Sequence, residues 1–148
     1  MYKHILVATD GSKLSLKAVK TAARLAADLG ANLSALYVMP VYVPPIYGEA
    51  AMYMPDMSPQ KFKEAADVEA QGALSHVAKA AKDNAIASKS IKVTNAHPWD
   101  AIVKTARTKK CDLIVMASHG RRGLAGFVLG SETTKVLTHT KVPVLVCR

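Results

Sequence analysis

The sequence predicts a three-layer α/β sandwich around a five-stranded parallel sheet, for which the strand order 3-2-1-4-5 is expected. Two observations lead to the parallel sandwich. Short, β-rich apolar runs alternate with longer helical stretches along all 148 residues, and strands separated by helices need right-handed crossovers, which make the sheet parallel. The length fits one domain, residues 1–148, large enough to bury a core without disulfide or metal staples. Half of the residues are apolar and 21% are charged, a globular mixture rather than a disordered, collagenous or coiled-coil one.

Each element has its own reason. His4–Thr9 is a continuous apolar run, as a strand covered on both faces requires. Ser12 caps a helix over Lys13–Leu29, with Leu16, Val19, Ala22, Ala23, Ala26 and Leu29 on one stripe, and Gly30 stops it. Lys13, Lys17, Lys20 and Arg24 fall on another face of that helix and read as a solvated stripe, with a docking surface as the alternative. Leu33–Met39 is a second strand. Pro40–Pro59 holds five prolines, three tyrosines and three methionines, and reads as an irregular connection that covers a site or extends an interface. Ser58 opens a long helix over Pro59–Asn84, proline suiting its first turn. Ile91–Ala96 is a third strand, Pro98 starts a helix carrying Ile102, Val103 and Ala106, and Asp112–Ala117 is a fourth strand. Ser118–Gly130 is a glycine-rich loop, Ser131–His139 a last helix and Pro143–Cys147 the final strand.

Composition excludes several classes. Apolar runs such as Leu113–Ala117 fall far short of the roughly 20 residues of a membrane span, and the start, reaching Asp10 so soon, does not read as a signal peptide. Two cysteines, Cys111 and Cys147, make neither a disulfide framework nor a four-ligand zinc set and read as small buried hydrophobes. A soluble, cytoplasmic, reduced protein is expected. The net charge of +9 comes entirely from residues 71–148, with thirteen Lys/Arg against four Asp/Glu. That imbalance suits acidic partners or a solvated lysine-rich exterior. Only Trp99 and Phe127 of the eight aromatics lie in this half, so no stacking platform for nucleic acid is visible and none is expected to bind.

In open α/β sheets ligands bind beyond the carboxyl ends of the strands, where the winding reverses. Two loops compete for that place. The stretch ASHGRRGLAGFVLGSETT, residues 117–134, carries Gly120, Gly123, Gly126 and Gly130 before Ser131 at a helix start. Glycines let backbone approach a ligand, and successive N–H groups with a helix N-terminus attract anions. The alternative is a merely flexible loop. Glu132 weighs against an anion, because a carboxylate in the first turn competes for the same dipole. The stretch is neither a phosphate loop ending in Gly-Lys nor a G-x-G dinucleotide fingerprint. Asp10 forms an Asx-turn or cap, or contacts ribose hydroxyls or a phosphate-bound Mg²⁺. Arg121 and Arg122 are placed to clamp terminal phosphates or to lie solvated on the loop. His119 has no neighbouring nucleophile, and the carboxylates show no acid–base pairing.

With these residues in view, ILVATDGS at the start, DLIVMASHG-x9-GS and the closing VPVLV resemble the universal stress protein family over the full 148 residues. Nucleotide-binding members carry G-x2-G-x9-G-[ST] after strand four, and the match here is Ala117-x2-Gly120-x9-Gly130-Ser131, the first glycine replaced by alanine. The resemblance implies a Rossmann-like fold with ATP or ADP, its triphosphate on this loop, where the site residues are Ala117, His119, Gly120, Arg121, Arg122, Gly130, Ser131 and Glu132. It implies ribose near Asp10, with Thr9 beside it in the site. Adenine would meet backbone at Val38, with Ala8 and Met116 packing nearby. Alanine at position 117 is tolerable where its φ is negative. The resemblance also implies a homodimer joined antiparallel through residues 143–147, an edge strand open to pairing. The expected role is a nucleotide-responsive regulatory or protective module in the stress response, acting on a partner protein, with slow ATP hydrolysis at most. A nucleotide-free dimeric scaffold of the same fold is the alternative.

Overall fold

In the computed structural model, which describes residues 1–44, 58–120 and 129–148, the apolar run His4–Ala8 forms the central strand, β1. It is followed by α1 (Lys13–Leu29), β2 (Asn32–Met39), α2 (Pro59–Asp83), β3 (Ser88–Thr94), α3 (Pro98–Thr108), β4 (Leu113–Ala117), α4 (Ser131–His139) and β5 (Val144–Cys147). The five strands pair in parallel in the order β3-β2-β1-β4-β5, as the sequence predicts. Ile5 stands opposite Leu33 on one side and Leu113 on the other. The winding therefore reverses between β1 and β4.

Side chains alternate across the sheet. Ile5, Val7, Leu33, Ala35, Leu113 and Val115 pack with α1 and α2. Leu6, Leu36, Ile114 and Met116 pack with Ile102 and Ala106 of α3 and Val136 of α4. Each fully buried Ile or Leu contributes about 1.5–3 kcal/mol to stability. The helices over the first face meet it largely through alanines: Ala18, Ala22, Ala23 and Ala26 from α1, and Ala66, Ala70 and Ala73 from α2. The buried face of α1 is thus Ser15, Ala18, Val19, Ala22, Ala23 and Ala26, while Leu16 and Leu29, expected in the stripe, are only half-buried. Lys13, Lys17, Lys20 and Arg24 are exposed.

Helix ends follow local chemistry. The Ser12 hydroxyl accepts from Ser15 N–H at 3.2 Å, Ser58 does the same for Lys61 at 3.2 Å, and Gly30 closes α1 at φ +61°. Some boundaries differ from expectation. β1 ends at Ala8 rather than Thr9, whose hydroxyl turns to Gly11 N–H at 3.2 Å. β3 runs Ser88–Thr94 instead of Ile91–Ala96. Its polar start is tolerated because it is an edge strand, and it stops where the Asn95 side chain accepts from His97 N–H at 2.8 Å. α2 ends at Asp83, Asn84 serving as its cap, and β5 begins after Pro143, which has no N–H to give. Cys111 is buried, and desolvation pushes its thiol up to about 11; Cys147 is half-buried rather than buried. Among the described residues, no helix is long and apolar enough to cross a membrane.

Candidate functional site

The carboxyl ends of β1, β2 and β4 open onto one cleft, and the two strand-to-helix junctions beside it are built differently. Between β1 and α1 the chain turns in four residues. Gly11 takes φ +77°, a left-handed conformation that favours glycine. Asp10 Oδ1 accepts from Ser12 N–H at 2.9 Å, the Asx-turn that its position predicts. The Thr9 hydroxyl lies 3.1 Å from that of Ser15, which donates to Ser12 C=O at 2.9 Å.

Between β4 and α4 the loop is pinned at its base. Gly130 N–H donates to Ser118 C=O at 2.8 Å, and the buried Thr133 hydroxyl donates to Ala117 C=O at 3.0 Å. Gly130 is needed for contact: a Cβ there would lie 3.1 Å from both Cα and Cβ of His119 and 3.2 Å from Ser118 O. Gly120 faces the other junction, since a Cβ on it would come 2.7 Å from Asp10 Oδ2. The N-cap of α4 is Gly130, which has no side chain to cap it. Ala117 is the last residue of β4 and is not among the positive-φ residues.

The main cleft has a volume of about 680 Å³ and adjoins a pocket of about 190 Å³. Asp10, Val38, His119, Gly120, Gly130, Ser131 and Glu132 line the cleft; Ala8, Thr9, Met116 and Ala117 line the adjoining pocket. The fold thus brings together every sequence-predicted site residue except Arg121 and Arg122, which lie outside the described residues. The opening of the Pro40–Pro59 connection also reaches the cleft, through Pro40, Val41 and Val43; residues 45–57 lie outside the described residues.

Sequence reasoning missed Asn95, Ala96, Pro98 and Thr133 on the cleft wall. Asn95 is committed to structure: it donates to Asp100 at 3.0 Å, and Lys104, with Asn95 second, holds the Asp100 carboxyl below the usual carboxylate range. Thr133 had a weak signal, a hydroxyl two residues past the helix start. Glu132 behaves unexpectedly. Rather than facing its own helix end, its Oε2 accepts from Trp99 N–H at 2.8 Å and so caps α3, which has no side-chain cap from its own N-cap residue His97. His119 Nδ1 lies 3.2 Å from the Ser118 hydroxyl. Among the described residues no three His, Cys, Asp or Glu gather to hold a metal ion.

Comparison with known proteins gives a consistent result. A sequence model of the universal stress protein family matches residues 1–148. Universal stress protein MJ0531 of Methanocaldococcus jannaschii is 36% identical over 148 residues, spanning 100% of this chain and 83% of its own length. The solved structure of the hypothetical protein MJ0577, a structure-based assignment of biochemical function, is similar with TM-score 0.79 at 28% identity, over 99% of this chain and 96% of its own. A universal stress protein crystallised in complex with cAMP is similar with TM-score 0.72 at 26% identity, over 99% and 97% of the two chains.

Proposed function

The chain belongs to the universal stress protein family, and from that premise we propose that it binds an adenine nucleotide, ATP or ADP, in the cleft beside β1 and β4. One observation carries the reading: Asp10, Val38, Gly120 and Gly130–Ser131, from four separate parts of the chain, line a single cleft at the reversal of winding. The size, about 680 Å³, suits a small-molecule ligand. The cAMP complex of a similar protein supports an adenine ligand.

The mechanism is binding by main chain. Amides at the start of α4 point N–H groups at phosphate oxygens, and the helix dipole favours their charge. Asp10 meets the ribose. Adenine lies against the backbone of Val38, with Ala8 and Met116 packing nearby. Mg²⁺ would arrive on the phosphates, which suits a cation that keeps most of its waters and takes few protein ligands, with Asp10 the carboxylate that would face it. Bound phosphate orders the β4–α4 loop and biases a partner surface, making the protein a nucleotide-responsive regulatory or protective module of the cytoplasm. The edge strand β5, with Leu145 37% exposed, joins two copies antiparallel through residues 143–147.

Isothermal titration with Mg·ATP should give a saturable signal, and Gly120→Val should weaken it at least about tenfold by driving a side chain against Asp10. No signal at millimolar nucleotide rejects the reading; equal affinity in variant and parent removes Gly120 from the site. Native mass spectrometry of the same sample reads the dimer and any nucleotide that co-purifies.

A further inference from the structure

We propose that Glu132 is the specificity-determining residue of this cleft: its carboxylate penalises phosphate charge, so that uncomplexed triphosphates are disfavoured against monophosphates. The inference rests on the nucleotide reading above and states which nucleotides that site prefers.

Among the described residues, the cleft and its adjoining pocket are lined by two carboxylates, Asp10 and Glu132, and by no lysine or arginine. Among those residues, the groups on the α4 side that attract phosphate are the main-chain dipoles at Gly130 and Ser131. Glu132 follows Ser131 directly, in the first turn of α4, so its charge stands beside the amides that an anion uses. It is also tethered there. The bond from Trp99 N–H at 2.8 Å holds Oε2 on the start of α3, and the side chain cannot swing away into water without uncapping that helix. Lys135 offsets the charge only in part, at 3.7 Å from Oε1, with the two side chains 48% and 39% exposed. A partly screened like charge at this range weakens a polyanion by roughly three- to tenfold. AMP carries less negative charge than ATP and so meets less of that repulsion.

The test is the ratio of AMP to ATP affinity without divalent cations, read by calorimetry and by emission of Trp99, the single tryptophan of the chain. Glu132→Gln keeps an amide oxygen to accept from Trp99 N–H, so the helix contact survives. ATP should bind roughly three- to tenfold tighter to this variant, with AMP changed less than about twofold. Lys135→Gln alters an exposed partner instead. It should weaken ATP roughly twofold both in the parent and beside Glu132→Gln, because the two charges act additively on the phosphates. Equal shifts for AMP and ATP, or none for either, overturn the role of Glu132 while leaving nucleotide binding in place. Failure of the folded parent to bind either nucleotide overturns the nucleotide reading and this inference together.

Discussion

The β1–α1 and β4–α4 junctions stand side by side at the mouth of one cleft, yet they satisfy their backbone in opposite ways. The first is closed by its own side chains: Thr9, Asp10 and Ser12 each accept from an N–H within three residues, leaving a turn that is complete by itself. Among the described residues the second is held at its base, by Gly130 on Ser118 and Thr133 on Ala117, and its helix starts at a glycine, which has no side chain to cap it. A capped helix start has fewer donors left for a ligand. An uncapped one facing a cavity keeps donors directed outward. The difference explains how one cleft has a rigid wall carrying Asp10 and a receptive wall at Gly130–Ser131.

The sharpest way to break this contrast is Gly130→Val. Its Cβ would meet main-chain and Cβ atoms of His119 and the carbonyl of Ser118 at 3.1–3.2 Å, atoms that cannot rotate away. Destabilisation by about 2 kcal/mol in urea unfolding is expected, in the range of overpacked sites, together with loss of measurable nucleotide binding. A variant of parental stability and affinity would mean that the base of the loop is not held as described. Ser12→Ala examines the other junction. Loss of the cap should cost about 1 kcal/mol in the same assay, with nucleotide affinity within about twofold, because the hydroxyl is occupied by Ser15 N–H. Abolished binding would show that the closed wall takes part in recognition and that the contrast is false.

What could be read from the amino acids follows the same division. The β1–α1 turn was legible because Asp10, Gly11 and Ser12 act within a few residues of themselves, and the Lys13–Leu29 helix has its cap and its glycine stop in the chain on either side. The parallel sheet followed from alternation of elements, and the meeting of Asp10, Val38, Gly120 and Ser131 from the resemblance to the family. β3 was misplaced at its start because Ser88, Lys89 and Ser90 lack the apolar signature of a strand, and only an edge position makes that acceptable. The bond between Glu132 and Trp99 spans 33 positions, so no local pattern could reveal it, and the carboxylate was read against its own helix instead. Asn95 and Pro98 reach the cleft through tertiary packing alone.

The smallest effect should come from Ala117→Gly, which restores the glycine that nucleotide-binding relatives carry at this point of the motif. If the added methyl had emptied the cleft, the chain would be a nucleotide-free scaffold, and removing it would create binding. The backbone argues otherwise. Ala117 ends β4 without a positive φ, paired with Cys147, and it lines the smaller pocket beside Met116 rather than the larger cleft beside Gly130. Its carbonyl, which any residue supplies, is the atom that holds Thr133. Glycine there should lower stability by about 0.5 kcal/mol through chain entropy and change Mg·ATP affinity by less than about twofold in the same titration. A gain of tenfold or more would assign the methyl a blocking role. It would also shift the distinction between the two junctions from capping chemistry to one crowded atom at the end of a strand.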